Sequence, residues 1–201
     1  MNTANKITIA RILLIPVFVG CAMDYGKSVQ AGEPNEWSRV LAIVVFGVAS
    51  VSDGVDGYIA RHFNQKTRLG GILDPIADKG LLLAAIITLS LVDWKPNFPL
   101  WFPVLVIARD TLSIAGSLLV NHLAGKVEIR PHWSGKCATV FQMIAIGWLM
   151  LRGDSLTGIP LLVPTILAGV FVCVSGFIYL ADGLRQLHAT EHAHSEIPRQ
   201  N

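Results

Sequence analysis

Long apolar stretches separated by short polar breaks set the pattern of this chain. Residues 12–23, 37–51, 72–92, 100–123, 134–151 and 161–180 read as six helical spans. Apolar runs of this kind are what a bilayer core about 30 Å thick selects. Pro16 falls inside the first, as membrane helices tolerate. Ahead of it, residues 2–11 mix Ile7 and Ile9 with Lys6, Thr8 and Arg11, which predicts a short interfacial helix leading into the membrane. The breaks are Asp24–Glu36 with Gly26, Gly32 and Pro34, the basic connection Arg61–Arg68, the turn Asp93–Pro99, the basic loop Gly125–Trp133 and the turn Arg152–Pro160. The second span is the exception: it continues helically into a charged stretch at Asp53 instead of ending in a loop. From Arg185 onward the chain is polar, and a solvated, partly disordered tail is expected. Its His188, His192 and His194 could bind metal, but a plain soluble tail is the favoured reading. The expected fold is all-α: a polytopic membrane protein of six transmembrane helices with a short N-terminal interfacial helix. Residues 1–185 would form the membrane domain and 186–201 the polar tail.

Composition agrees with that class. Of 201 residues, 52% are hydrophobic and 15% charged, with mean hydropathy +0.53, against roughly 25% charged in soluble domains. The net charge of +2 says little about partners, and no nucleic-acid partner is expected. Cys21, Cys137 and Cys173 sit apart in apolar segments and read as small buried hydrophobes. Lys6 and Arg11 precede a run with no small-residue cleavage site, so the first span is expected to stay as its own anchor. Ten lysines and arginines fall on the side shared by the termini (Lys6, Arg11, Arg61, Lys66, Arg68, Lys126, Arg130, Lys136, Arg185, Arg199) and four on the other (Lys27, Arg39, Lys95, Arg152). By the positive-inside rule both termini and the acidic stretch are cytoplasmic. No internal repeat supports an inverted-repeat transporter.

Chemistry concentrates in one place. Asp53, Asp56, Asp74 and Asp78 stand among segments apolar enough for a bilayer, and charge there marks a functional site by default. At helical spacing Asp53 shares a face with Asp56, and Asp74 with Asp78. Gly54, Gly57 and Gly70 remove side chains beside the acids. Four carboxylates gathered together need a cationic partner. Arg61 and Lys79 offset part of the charge and a divalent cation would offset more. An oxygen-only ligand set without histidine or cysteine suits magnesium, manganese or calcium, not zinc. Magnesium or manganese held this way keeps positions open for phosphate oxygens, which points to metal-assisted phosphoryl transfer on a nucleotide or diphosphate substrate. A small channel using the acids as an ion path is the reading from another class. It predicts acids strung through the bilayer depth, whereas these lie at the ends of two adjacent helices.

The motif Asp53-x-x-Asp56-Gly57-x-x-Ala60-Arg61-x8-Gly70-x3-Asp74-x3-Asp78 matches, without departure, the signature of the CDP-alcohol phosphotransferases, which this chain resembles over its whole length. Asn5, Thr8 and Arg11 match the family's Asn-x-x-Thr-x-x-Arg start. The resemblance implies transfer of a substituted phosphate from a CDP-linked donor to an alcohol, with release of CMP. It implies two divalent metals on Asp53, Asp56 and Asp74 with Asp78 completing the set, and Asp78 as the general base. Gly57, Ala60, Arg61 and Gly70 resemble the positions that accept the CDP group, and family members are often homodimers. A catalytically silent relative that only binds lipid is disfavoured by the intact signature.

The acceptor depends on residues outside the signature. Arg109 lies mid-span beside Asp110 and Lys136 opens the fifth span. Each either meets a ligand or has a structural role: Arg109 paired with Asp110, Lys136 and Arg130 as snorkelling positive-inside residues. Were they to bind substrate, the acceptor would carry its own phosphate. The runs Asn5–Pro16, Arg61–Asp78 and Gly135–Met143 resemble the glycerol 3-phosphate-using branch of the family, the bacterial phosphatidylglycerophosphate synthases, which implies CDP-diacylglycerol and glycerol 3-phosphate as substrates. Arg109-Asp110 departs from the Arg-Glu of that branch and is closer to the cardiolipin synthases, whose acceptor is phosphatidylglycerol.

Overall fold

A computed structural model describes residues 3–62, 70–94, 96–124, 133–151 and 162–195, with side chains over 6–52, 76–94, 96–116, 135–151 and 162–181. The described residues form six helices and no strand: α1 (Thr3–Gln30), α2 (Glu36–His62), α3 (Gly70–Leu91), α4 (Trp101–Ala124), α5 (Trp133–Leu151) and α6 (Leu162–Ser195). They fall into two compact units, one of Met1–Pro103 with Met143–Leu161 and one of Val104–Gln142 with Leu162–Asn201.

In the first unit α1 packs along both α2 and α3, which touch each other little among the described residues. The core is built from Phe18 and Ala22 of α1, Ala42, Phe46 and Ala49 of α2, and Ala77, Leu81, Ala85, Ile86 and Leu89 of α3, all buried. Alanines on facing helices let the backbones approach, the usual device where packing rather than water drives association. The rings of Phe18 and Phe46 lie 5.8 Å apart. At the end of α1 a five-residue turn reverses the chain: Gly32 adopts φ +82° and donates to Val29 O at 3.1 Å, the left-handed closure that favours glycine. Ser28 Oγ accepts from the Asn35 amide at 2.8 Å, and Ser38 Oγ donates to Asp24 Oδ2, so the polar groups of the turn satisfy one another. Below it Trp94, 1% exposed, meets Tyr25 edge-on at 4.6 Å, with Arg39 over the other ring.

In the second unit Phe141 of α5 stacks on Phe171 of α6 at 4.2 Å. Ala138, Ala168 and Val172 are buried beside them.

Three element boundaries differ from the sequence reading. Residues 3–11 form no separate interfacial helix, since α1 runs unbroken from Thr3 to Gln30 with Pro16 inside it. Nor is Asp24–Glu36 a loop throughout; helix persists to Gln30 because Tyr25 and Gly26 are buried packing positions rather than turn residues. And α6 continues past Arg185 to Ser195, so the first ten residues assigned to the tail are helical. The connections 63–69, 125–132 and 152–161 lie outside the described residues. Two described helices are long and apolar enough to cross a membrane, Lys6–Gln30 and Leu162–Ala181, and Gly135–Leu151 is a shorter apolar one. α4 has Arg109 and Asp110 within it.

Candidate functional site

The signature occupies two helix ends in the first unit. Asp53, Asp56, Gly57, Ala60 and Arg61 fall in the last turns of α2, which closes at His62, while Gly70 is the first residue of α3 and Asp74 and Asp78 follow in its opening turns. The expected helix–connection–helix arrangement therefore holds at backbone level. Of the four acids, only Asp78 lies among the described side chains.

Asp78 is held from α1. Its Oδ1 accepts a hydrogen bond from Arg11 Nη1 at 2.7 Å, with Arg11 0% and Asp78 35% exposed. Thr8, one turn before Arg11, is also wholly buried. Helical periodicity brings residues i and i+3 or i+4 together and is blind to a partner 67 positions away, so sequence reading placed Arg11 only as a cytoplasmic-side cation and a motif position. The signal available was an arginine nine residues into an apolar helix, a costly placement without a carboxylate partner.

Arg109 lies in the second unit, where α4, α5 and α6 each contribute to its surroundings. Nη1 donates to Asp110 Oδ1 and Nη2 to Ser175 Oγ, both at 2.6 Å, and the guanidinium carbon lies 5.4 Å from the centre of the Tyr179 ring. Its side chain is 11% exposed. Two glycines make room for it: a Cβ on Gly135 would come 3.1 Å from Arg109 Nη2, and one on Gly176 would come 3.4 Å from Arg109 Cγ. Arg109 Nε is buried with no hydrogen-bond partner among the described residues. The structural pairing with Asp110 considered from the sequence is thus present. Ser175, Tyr179 and the two glycines were not singled out, because each is an ordinary residue on an apolar helix until α4 is packed against it. Lys136 is exposed at the start of α5, and Arg130 lies outside the described residues.

The four acids supply carboxylate oxygens alone, at three- and four-residue spacing on two helices, and this donor chemistry fits a hard divalent cation. Among the described residues no three histidine, cysteine or acidic side chains gather into a second metal site.

A family model for CDP-alcohol phosphatidyltransferase matches residues 1–183. A CDP-diacylglycerol–glycerol-3-phosphate 3-phosphatidyltransferase of Bacillus subtilis is 36% identical over 193 residues, covering 92% of this chain and 97% of that one. A probable phosphatidylglycerophosphate synthase of Mycobacterium tuberculosis is 31% identical over 186 residues, covering 92% and 83%. The CDP-diacylglycerol–glycerol-3-phosphate 3-phosphatidyltransferase of Escherichia coli K12 is 34% identical over 155 residues, covering 75% and 78%.

Proposed function

Because the chain belongs to the CDP-alcohol phosphatidyltransferase family, we propose that it transfers the phosphatidyl group of CDP-diacylglycerol to glycerol 3-phosphate, giving phosphatidylglycerophosphate and CMP. It is a transferase of this class, acting in phospholipid biosynthesis. The observation that carries the assignment is the complete signature, all eight positions at the ends of α2 and α3 on either side of one connection. Relatives whose names specify glycerol 3-phosphate support the acceptor.

Asp53, Asp56, Asp74 and Asp78 would hold magnesium or manganese, two ions in this reading. When bound there, the metal would supply charge neutralisation and Lewis-acid polarisation for the donor diphosphate. Gly57, Ala60 and Gly70 leave space for the cytidine end of the donor, and Arg61 donates to its anionic oxygens. Asp78 takes the proton of the acceptor hydroxyl. That oxygen forms a bond to the phosphorus bearing the diacylglycerol while the bond from that phosphorus to CMP breaks, and CMP leaves with the electron pair. Arg109, Lys136 and Arg130 bind the acceptor's own phosphate in this reading. Arg109 brings a buried, pre-oriented guanidinium to the task, with Nε as the donor not engaged among the described residues. All six helices cross the cytoplasmic membrane, with both termini and the acid cluster on the cytoplasmic side, as the distribution of lysine and arginine indicates.

An acceptor screen tests the assignment. Purified protein with CDP-diacylglycerol and magnesium or manganese should release CMP when given glycerol 3-phosphate, and chelation with EDTA should stop it. Turnover with phosphatidylglycerol alone would sink the glycerol 3-phosphate reading and establish a cardiolipin synthase. Asp78→Asn should cut CMP release by about 100- to 10,000-fold, the usual worth of a general base, while the protein still folds with a lowered unfolding temperature, because Arg11 loses its ionic partner.

A further inference from the structure

Among the described residues of the first unit Arg11 is a charged side chain removed completely from solvent, and its guanidinium reaches from α1 to the one signature acid whose side chain is described. A buried arginine is retained only where a carboxylate and close geometry compensate its lost hydration. Asp78 provides both, with Nη1 to Oδ1 at 2.7 Å. The two ends of this pair differ in character. Arg11 is 0% exposed and its neighbour Thr8 is equally enclosed, so this stretch of α1 is fixed by packing, whereas Asp78 is 35% exposed. A planar guanidinium whose stem is immobilised constrains a carboxylate's direction in a way that a flexible ammonium does not.

We propose that Arg11 is a positioning residue for Asp78: from α1 it fixes the carboxylate of α3 in one orientation while the acceptor hydroxyl approaches. This role rests on Asp78 serving as the base. It assigns to α1 a direct part in the chemistry of a site otherwise built from α2 and α3, and it gives the buried arginine a purpose beyond joining two helices. Misplacing a catalytic group by about 1 Å costs rate on the order of 100-fold. Loss of Arg11 is therefore expected to lower kcat and leave substrate affinity largely alone.

The test compares Arg11→Lys, Arg11→Gln, Asp78→Asn and the double variant Arg11→Gln/Asp78→Asn in the full-length protein, with labelled donor so that small residual turnover is measured. Arg11→Gln should lower kcat about 100-fold with both KM values within about threefold. Arg11→Lys should recover about a tenth of the wild-type rate, since it restores charge without the fork. In the Asp78→Asn background, Arg11→Gln should cost less than about threefold more, the non-additivity of residues that act as one unit. Manganese binding to Arg11→Gln, followed by electron paramagnetic resonance, should persist, because Asp53, Asp56 and Asp74 remain as ligands in this reading. Losses that multiply in the double variant, a rise in KM at constant kcat, or abolished manganese binding would each overturn the positioning role. Should Arg11→Gln fail to fold, Arg11→Lys decides: a wild-type kcat overturns the proposal and a KM-neutral fall supports it. Normal CMP release by Asp78→Asn alone overturns the base assignment itself, an outcome read separately from the pair.

Discussion

Where α1 passes the end of α3, a Cβ at position 26 would overlap Val92 Cγ1 and come within 3.3 Å of the Asp93 amide nitrogen, whereas one at Gly20 would meet nothing within 4 Å. Gly26→Ala should therefore destabilise by about 1–3 kcal/mol, the range for overpacking a filled contact. Gly20→Ala should be neutral or gain up to about 1 kcal/mol from helix propensity. Thermal unfolding in detergent checks both. Ser175→Ala removes the oxygen that accepts from Arg109 Nη2 in a buried position, and stranding that donor should cost about 1–3 kcal/mol. If Arg109 also binds the acceptor's phosphate, the same variant should raise KM for glycerol 3-phosphate more than KM for CDP-diacylglycerol, and a steady-state comparison reads this. The acids from Asp53 to Asp78 were legible in sequence because their spacing is local and helical. The partners of Asp78 and Arg109 were not. Arg11 to Asp78 and Arg109 to Ser175 span 67 and 66 positions, and only packing of separate helices brings them together. Gly26 misled for the same reason, being read as a turn residue when its role is contact.

Among the elements, hydropathy located the apolar middles of the helices and misjudged their ends. Expected spans at 72–92 and 100–123 became Gly70–Leu91 and Trp101–Ala124, close agreement where proline-containing turns or charge bound the run. α1 and α6 extend past their apolar zones, into Asp24–Gln30 and into Arg185–Ser195. Backbone hydrogen bonding does not stop where the side chains turn polar; a helix leaving lipid keeps its intrahelical bonds and simply exposes charged residues to water. The polar end of α6 supplies no signature residue, and shortening the chain after Arg185 should leave CMP release within about twofold and the unfolding temperature nearly unchanged, as expected for a polar chain terminus. A loss of rate on truncation would assign that end of α6 to the working domain.

At the scale of the molecule, the proposed six crossings would put both termini on one side, and the ten-to-four split of lysine and arginine would make that side cytoplasmic. Protease-cleavable tags at the N- and C-terminus should both be cut in inverted vesicles and both be protected in right-side-out ones. One tag protected and one cut would mean an odd number of crossings. The place of α1 between α2 and α3 also bears on how the protein is made. Arg11 leaves the ribosome with the first helix, and its carboxylate partner follows 67 residues later, roughly 3–13 s at ordinary rates of synthesis. During that interval the Asp78 carboxylate is not there to compensate the guanidinium's lost hydration. The ion pair is thus a late event in biogenesis: it cannot form until residue 78 has been made and α3 has packed against α1.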